Sequence, residues 1–268
     1  MAEHTKAQIE KMKGVLPLIS CLCNPGLRDR HWTAISEVLG FELTASDSSS
    51  FRQLVRLQVA DKLDALTELS DGASKEYSLE RTLDKMQSEW APLEFELSAY
   101  RETGTFILKG GPIDEAQLLL DDHVLKTQSM GASPAAKPFE DRIADWGRRV
   151  TAMQDILDAW LKVQQVWLYL EPIFGSEDIM QQMPTEGAAF REVDDAWRVI
   201  MAETESAPAM LASADREGLL DTLNECNAKL DIIQKGLDSY LNKKRMAFPR
   251  FFFLANEELL EILSETKD

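Results

Sequence analysis

Along much of the chain, apolar residues recur at alternating steps of three and four, the spacing that gathers side chains onto one face of a helix. The longest such stripe is Leu219, Leu223, Cys226, Leu230, Ile233, Leu237 and Tyr240, with acids, Asn and Lys between them. It predicts an amphipathic helix about 33 Å long at roughly 1.5 Å per residue. A second stripe, Trp146, Val150, Met153, Leu157, Trp160 and Trp167, is interrupted only by Gln164, with Ile156, Leu161 and Leu168 on its flank. Apolar residues on more than a narrow seam predict a helix packed on two sides within a bundle. Phe190, Val193, Trp197 and Ile200 form a third stripe, Leu79, Leu83, Met86 and Trp90 a fourth, and Ile9, Met12, Leu16 and Ile19 a fifth. Trp160, Trp167, Phe190 and Trp197 are therefore read as structural core rather than as groups that stack on a ligand.

One segment departs from this period. Leu93, Phe95 and Leu97 alternate with Glu94, Glu96 and Ser98, and Thr105-Phe106-Ile107-Leu108 follows Arg101-Glu102-Thr103-Gly104. The alternation predicts a β-hairpin over 93–108, with Pro92 ending the preceding helix and Gly110-Gly111-Pro112 opening the next. Residues 44–50 read as a solvated loop and 131–138 as a connector. Pro172 lacks an N–H and disfavours helical geometry at Glu171, so the chain is expected to turn there and resume a helix near Glu186, after Pro184-Thr185. The expected fold is mainly all-α: an elongated stack of antiparallel helical bundles with one small hairpin. Its blocks would be helices over 1–90, the hairpin over 93–109, a bundle over 112–245, and an aromatic corner with a final helix over 246–268.

Charge narrows the class of partner. In 268 residues, 29 Lys and Arg face 46 Asp and Glu, a formal charge of −17, which disfavours a grip on nucleic acid or on an anionic membrane. The apolar fraction of 44% is too high for a chain disordered throughout. The three cysteines, Cys21, Cys23 and Cys226, form no paired framework and fit a reducing compartment. The first residues lack the pattern of a signal peptide, and the apolar stretch 15–23 contains Pro17 and is too short to span a bilayer. A soluble, intracellular protein is expected.

Candidate chemistry is sparse. A phosphate-cradling loop needs G-x-x-x-x-G-K-[ST], and Lys109-Gly110-Gly111, the nearest run, has the wrong order and spacing. His4, His31 and His123 are scattered, and Cys21 and Cys23 point to different sides of a helix, so no metal ligands are nominated. Asp121-Asp122-His123 reads as the solvated face of a helix. No hydrolase elbow, zincin helix or calcium loop is present, and no catalytic or cofactor-binding residue is assigned. Lys243-Lys244-Arg245 is the one compact basic run and reads as favourable charge at a helix C-terminus. Phe248-Pro249-Arg250-Phe251-Phe252-Phe253-Leu254 fits either a buried corner or an exposed docking strip. The corner is the default expectation, with Arg250 reaching solvent or a carboxylate.

Two blocks of residues carry a resemblance. The first is Trp167-Leu168-Tyr169-Leu170-Glu171-Pro172-Ile173-Phe174, continuing through Ser176, Asp178-Ile179, Gln182, Pro184, Glu186, Phe190 and Val193-Asp194 to Trp197. The second is Tyr240-Leu241, Lys244-Arg245, Phe248 to Leu254, Asn256 and Glu258-Leu259-Leu260-Glu261-Ile262-Leu263. With weaker similarity at Arg30-His31-Trp32 and Phe106-Ile107-Leu108-Lys109-Gly110, the chain resembles the linker region of dynein heavy chains, which precedes the ring of AAA modules. Pro172 after Glu171 is more like axonemal than cytoplasmic members, while Ala255 and Asn242 depart from the family's usual Ser and Glu.

The resemblance implies one linker arch of helical bundles over 1–268, a mechanical lever that bends and straightens as the adjoining ring hydrolyses ATP. On that reading the segment is not an enzyme. ATP and Mg would bind elsewhere in a microtubule-stimulated ATPase, of which this chain is a fragment. Its partners would be the ring of the same heavy chain and other dynein subunits, not nucleic acid or membrane. The implied location is the cytoplasm and cytoskeleton, in the axoneme of a cilium or flagellum. Phe248, Pro249, Arg250, Phe251, Phe252, Phe253 and Asn256 become candidate mechanical or interaction residues near the place where the arch flexes. The alternative is a helical scaffold or adaptor that only binds partner proteins.

Overall fold

The stripes fold as helices and the alternating segment as a hairpin. A computed structural model describes residues 16–44 and 62–265. Ile9 and Met12 of the fifth stripe, His4 and most of the 44–50 loop lie outside the described residues. The described elements are α1 (Leu16–Leu22), α2 (Asp29–Leu39), α3 (Leu63–Glu89), β1 (Leu97–Tyr100), β2 (Thr105–Leu108), α4 (Gly110–Gly131) and α5 (Glu140–Phe174). They continue with α6 (Glu177–Gln182), α7 (Pro184–Ser206), α8 (Met210–Ala214), α9 (Leu219–Ala247) and α10 (Asn256–Glu265), and short 3₁₀ turns form at Pro134–Phe139 and Pro249–Phe253. The architecture is mainly all-α, with one two-stranded antiparallel sheet among the described residues.

The chain forms two compact units, Met1–Ser88 with Lys126–Asp145, and Glu89–Leu125 with Trp146–Asp268. In the first, Leu18, Ile35, Leu39, Leu43 and Leu66 form a buried cluster. Gly26 lets α3 approach closely, since a Cβ there would stand 2.5 Å from the Ala73 carbonyl oxygen. The neighbouring Asn24 amide donates to the Ser70 carbonyl at 2.8 Å. His31 is buried; its Nδ1 accepts from the Arg28 N–H at 3.0 Å, which leaves Nε2 to face Glu76 at 3.1 Å.

The second unit is organised around α5. Trp146, Val150, Met153, Leu157, Trp160, Val163, Trp167 and Leu170 are all buried along it. Trp167 stacks on Trp197 of α7 with ring centroids 5.4 Å apart, and Trp160 packs against Phe95 at 5.0 Å. The Trp167 and Trp197 indoles donate to Asp194 at 3.1 Å and to the Phe106 carbonyl at 3.2 Å. Gln164, the polar break in the stripe, has a clear use. Its side-chain amide accepts from the Leu108 N–H at 2.7 Å and donates to the Leu108 carbonyl at 3.1 Å, so it satisfies the open edge of β2 as a neighbouring strand would.

Several expectations need correction. The helix does not turn at Pro172 but runs to Phe174. One backbone bond is lost, yet Leu170 and Phe174 are buried and Phe174 stacks on Phe190 at 5.3 Å, so packing holds the last turn until Gly175 donates to Glu171 at 2.8 Å. The connector at 131–138 is partly structured as the 3₁₀ turn, whose first residues are capped by Ser133. The alternation beginning at Leu93 splits: only β1 from Leu97 pairs with β2, while Phe95 donates to Pro208 at 2.8 Å and Met210 donates to Leu93 at 3.0 Å. In α9 the buried stripe ends on Leu241, and Tyr240 is only half-buried. His123 is no part of a solvated face. It is fully buried beside Trp146; its Nδ1 accepts from the Trp90 indole at 3.0 Å, and Nε2 meets Glu89 at 3.1 Å.

Candidate functional site

The last turn of α9 carries Lys244 and Arg245, with Lys243 just before it, and the helix ends at Ala247 because Pro249 offers no N–H to continue it. Phe248 is extended at φ −134° and donates to the Lys244 carbonyl at 3.0 Å. Pro249 then opens a 3₁₀ turn closed by Phe251 N–H to the Phe248 carbonyl at 2.9 Å and Leu254 N–H to the Phe251 carbonyl at 3.2 Å. With three residues per turn, positions three apart eclipse one another. The turn therefore has three edges: Phe248 with Phe251, Pro249 with Phe252, and Arg250 with Phe253. The first packs on itself, the two rings meeting edge to face at 4.8 Å.

Arg245 holds this turn in place. Its guanidinium donates to the carbonyls of Phe251 at 3.3 Å and Leu254 at 3.0 Å, and to the Asn256 side chain at 2.8 Å. Burial raises the phenol of Tyr169 on α5 above its ordinary pKa, the charges of Glu257 and Asp238 add to this, and the neighbouring Asn256 side chain opposes it. The Ala255 N–H is capped by Glu258 at 2.9 Å, which starts α10, and Leu259 and Leu260 anchor that helix in the core.

The buried corner expected from the sequence is not found. Phe248, Phe252 and Phe253 are 47%, 58% and 91% exposed, Arg250 stands in solvent, and the turn has no buried residue. A consecutive run of aromatics on a three-edged turn cannot face inward on every edge. Asn256 is brought to the turn and into its bonding, as a fixed link rather than an exposed group. Sequence reasoning misses Arg245 as the organiser, although an Arg in the last helical turn commonly bonds the carbonyls that follow. Trp160, Trp167 and Trp197 are fully buried, as Phe190 nearly is.

Other surfaces hold less order. A cavity of about 490 Å³ is lined by Glu171, Phe174, Arg191, Asp194 and Arg198 among others, but Arg198 is already paired with Asp194 at 2.7 Å. Among the described residues, no group of three or more His, Cys, Asp or Glu is placed to hold a metal ion, and no helix is long and apolar enough to cross a membrane.

Both residue blocks that carry the family resemblance lie in this unit, one along α5 to α7 and the other from the end of α9 through the turn into α10. The family model for the dynein heavy chain, N-terminal region 2, matches residues 1–268. The chain belongs to the dynein heavy chain family. It is 47% identical over 268 residues to dynein axonemal heavy chain 3 of Homo sapiens, covering 100% of this chain and 6% of that protein. To dynein axonemal heavy chain 12 of Rattus norvegicus it is 50% identical over 242 residues, 90% of this chain and 8% of that one. Dynein axonemal heavy chain 1 of Rattus norvegicus is 44% identical over the full 268 residues, 6% of its own length. The chain thus spans less than a tenth of each of these dynein heavy chains.

Proposed function

We propose that the segment is a non-catalytic mechanical lever, the linker part of an axonemal dynein heavy chain that changes conformation as the adjoining AAA ring hydrolyses ATP and so drives movement along microtubules. The observation that carries this reading is the match of the whole chain to the N-terminal region of dynein heavy chains. The close packing of its tryptophan core supports it, because a lever must transmit force through interiors that do not yield. ATP and Mg belong to the ring in this scheme, and the partners are that ring and other dynein subunits within a cilium or flagellum. The aromatic turn enters as a fixed point of contact rather than a flexing joint, since three hydrogen bonds from Arg245 brace it.

The test is a full-length heavy chain with and without residues 1–268, measured for microtubule gliding and for ATP turnover. Without the segment, gliding should be lost while ring ATPase continues. Normal gliding without it would refute the lever.

A further inference from the structure

We propose that the outward face of α4 is a docking surface for a basic amphipathic helix carried by a separate protein. The helix is apolar on two sides. Ile113, Ala116, Leu120 and His123 are buried in the fold, while Leu118 and Leu125 are 72% and 68% exposed. The two leucines are seven residues apart, about two turns, and so stand in line on one face. Both belong to the second compact unit.

Charge gives the chemistry of the occupant. Asp114 and Glu115 stand four and three residues before Leu118, and Asp121 and Asp122 stand at the same distances before Leu125. Residues three and four apart are neighbours on a helix, one to each side, so both leucines are flanked by carboxylates left and right. All four acids are exposed, and residues 110–125 contain no Lys or Arg. Elsewhere acids meet a cation: Arg142 pairs with Asp84 at 2.7 Å and Arg149 with Asp215 at 2.6 Å. The carboxylates of Asp114, Glu115 and Asp121 make no hydrogen bond or ion pair among the described residues. What completes such a face is a helix with apolar residues at seven-residue spacing between rows of Lys or Arg.

A second copy of this chain does not fit, since it would set acid rows against acid rows and bring a net charge of −17 to each side. Nor does a permanent cover from within the heavy chain. Surfaces that stay buried are more apolar and poor in charge at their centre, whereas four hydrated carboxylates keep this pair of leucines compatible with water. A face that is open part of the time meets its partner by diffusion, and its negative field speeds the encounter with a basic helix. The surface requires nothing of lever action and stands or falls apart from it.

The experiment uses the full-length heavy chain with Leu118→p-benzoylphenylalanine, a change at an exposed position that leaves the core untouched. The probe is a synthetic helical peptide with leucine at every seventh position between rows of lysine, and its control is a scrambled peptide of the same composition. On irradiation the probe should crosslink at residue 118, and the scrambled peptide at least ten-fold less. Binding of the probe, read by fluorescence anisotropy, should weaken at least ten-fold with Leu125→Ser and with Asp114→Lys and Asp121→Lys together. A peptide with glutamate in place of lysine should regain binding to that charge-reversed chain, which also shows that the variant is folded. The chain irradiated without peptide should give no crosslink to heavy-chain residues outside 1–268. Such a crosslink would overturn the proposal, as would absence of binding, equal labelling by the scrambled peptide, or an affinity indifferent to Leu125→Ser or to charge reversal.

Discussion

Two regions of this molecule are rich in aromatic side chains and treat them in opposite ways. Along α5 and α7, Trp146, Trp160, Trp167 and Trp197 are withdrawn from water, and two of their indoles hydrogen-bond within the fold. In the turn after α9, Phe252 and Phe253 point outward while the backbone beneath them is pinned. The difference lies in spacing rather than in hydrophobicity. Trp146, Met153, Trp160 and Trp167 follow one another at steps of seven residues, about two helical turns, and so share one face. Neighbours in a 3₁₀ turn diverge by a third of a turn, so adjacent phenylalanines cannot share one. Aromatic density alone therefore says nothing about inside or outside.

The largest effect is expected at Trp160. Trp160→Ala removes a fully buried ring from the α5 core and should cost about 3–5 kcal/mol in urea unfolding. Trp160→Phe should cost much less, because the Trp160 indole N–H has no hydrogen-bond partner to lose among the described residues. A Trp160→Ala chain of undiminished stability would erase the difference at its buried end.

Next in size is Gln164→Leu, which leaves the Leu108 N–H and carbonyl without their side-chain partners, Leu108 itself being buried. A loss of about 1–3 kcal/mol is expected. Faster amide exchange at Leu108 would locate the effect. Arg245→Met should act more locally, releasing the carbonyls of Phe251 and Leu254 and freeing Asn256, for about 1–2 kcal/mol. Hydrogen exchange would then rise first at residues 251 and 254, while the α5 core stays protected.

The smallest effect belongs to the exposed turn. Phe253→Ala should change the stability of this chain by no more than about 0.5 kcal/mol, the usual range for surface substitutions. The cysteines carry the same distinction into chemistry. Cys23 is exposed, Cys21 and Cys226 are buried, and burial raises the Cys226 thiol above its ordinary pKa. A thiol reagent at neutral pH should therefore label Cys23 first and Cys226 only as the chain unfolds.

Much of this is legible in the sequence, and the limits are physical. The stripes of α5, α7 and α9 follow the helical period, so their buried faces can be read directly. His123 cannot, because its flanking Asp121 and Asp122 mark a solvated face and only the fold brings Trp90 and Glu89 to its ring. Gln164 reads as a flaw in a stripe until β2, 56 residues away, presents an edge to it. Pro172 shows local propensity yielding to packing two residues before a helix end. At the candidate site, the residues of the turn are legible but their exposure is not, since the run gives no period from which to choose a face. Arg245 is legible in principle, by its place in the last turn of α9.

The contrast between the two aromatic regions can be measured directly. Hydroxyl-radical footprinting of the 268-residue chain, with each ring's oxidation rate normalised to that of the urea-unfolded chain, reads burial residue by residue. Phe252 and Phe253 should oxidise in the folded chain at close to their unfolded rates, while Trp160, Trp167 and Trp197 should be protected at least ten-fold. Protection of Phe253 equal to that of Trp160 would contradict the assignment of one region to the core and the other to the surface.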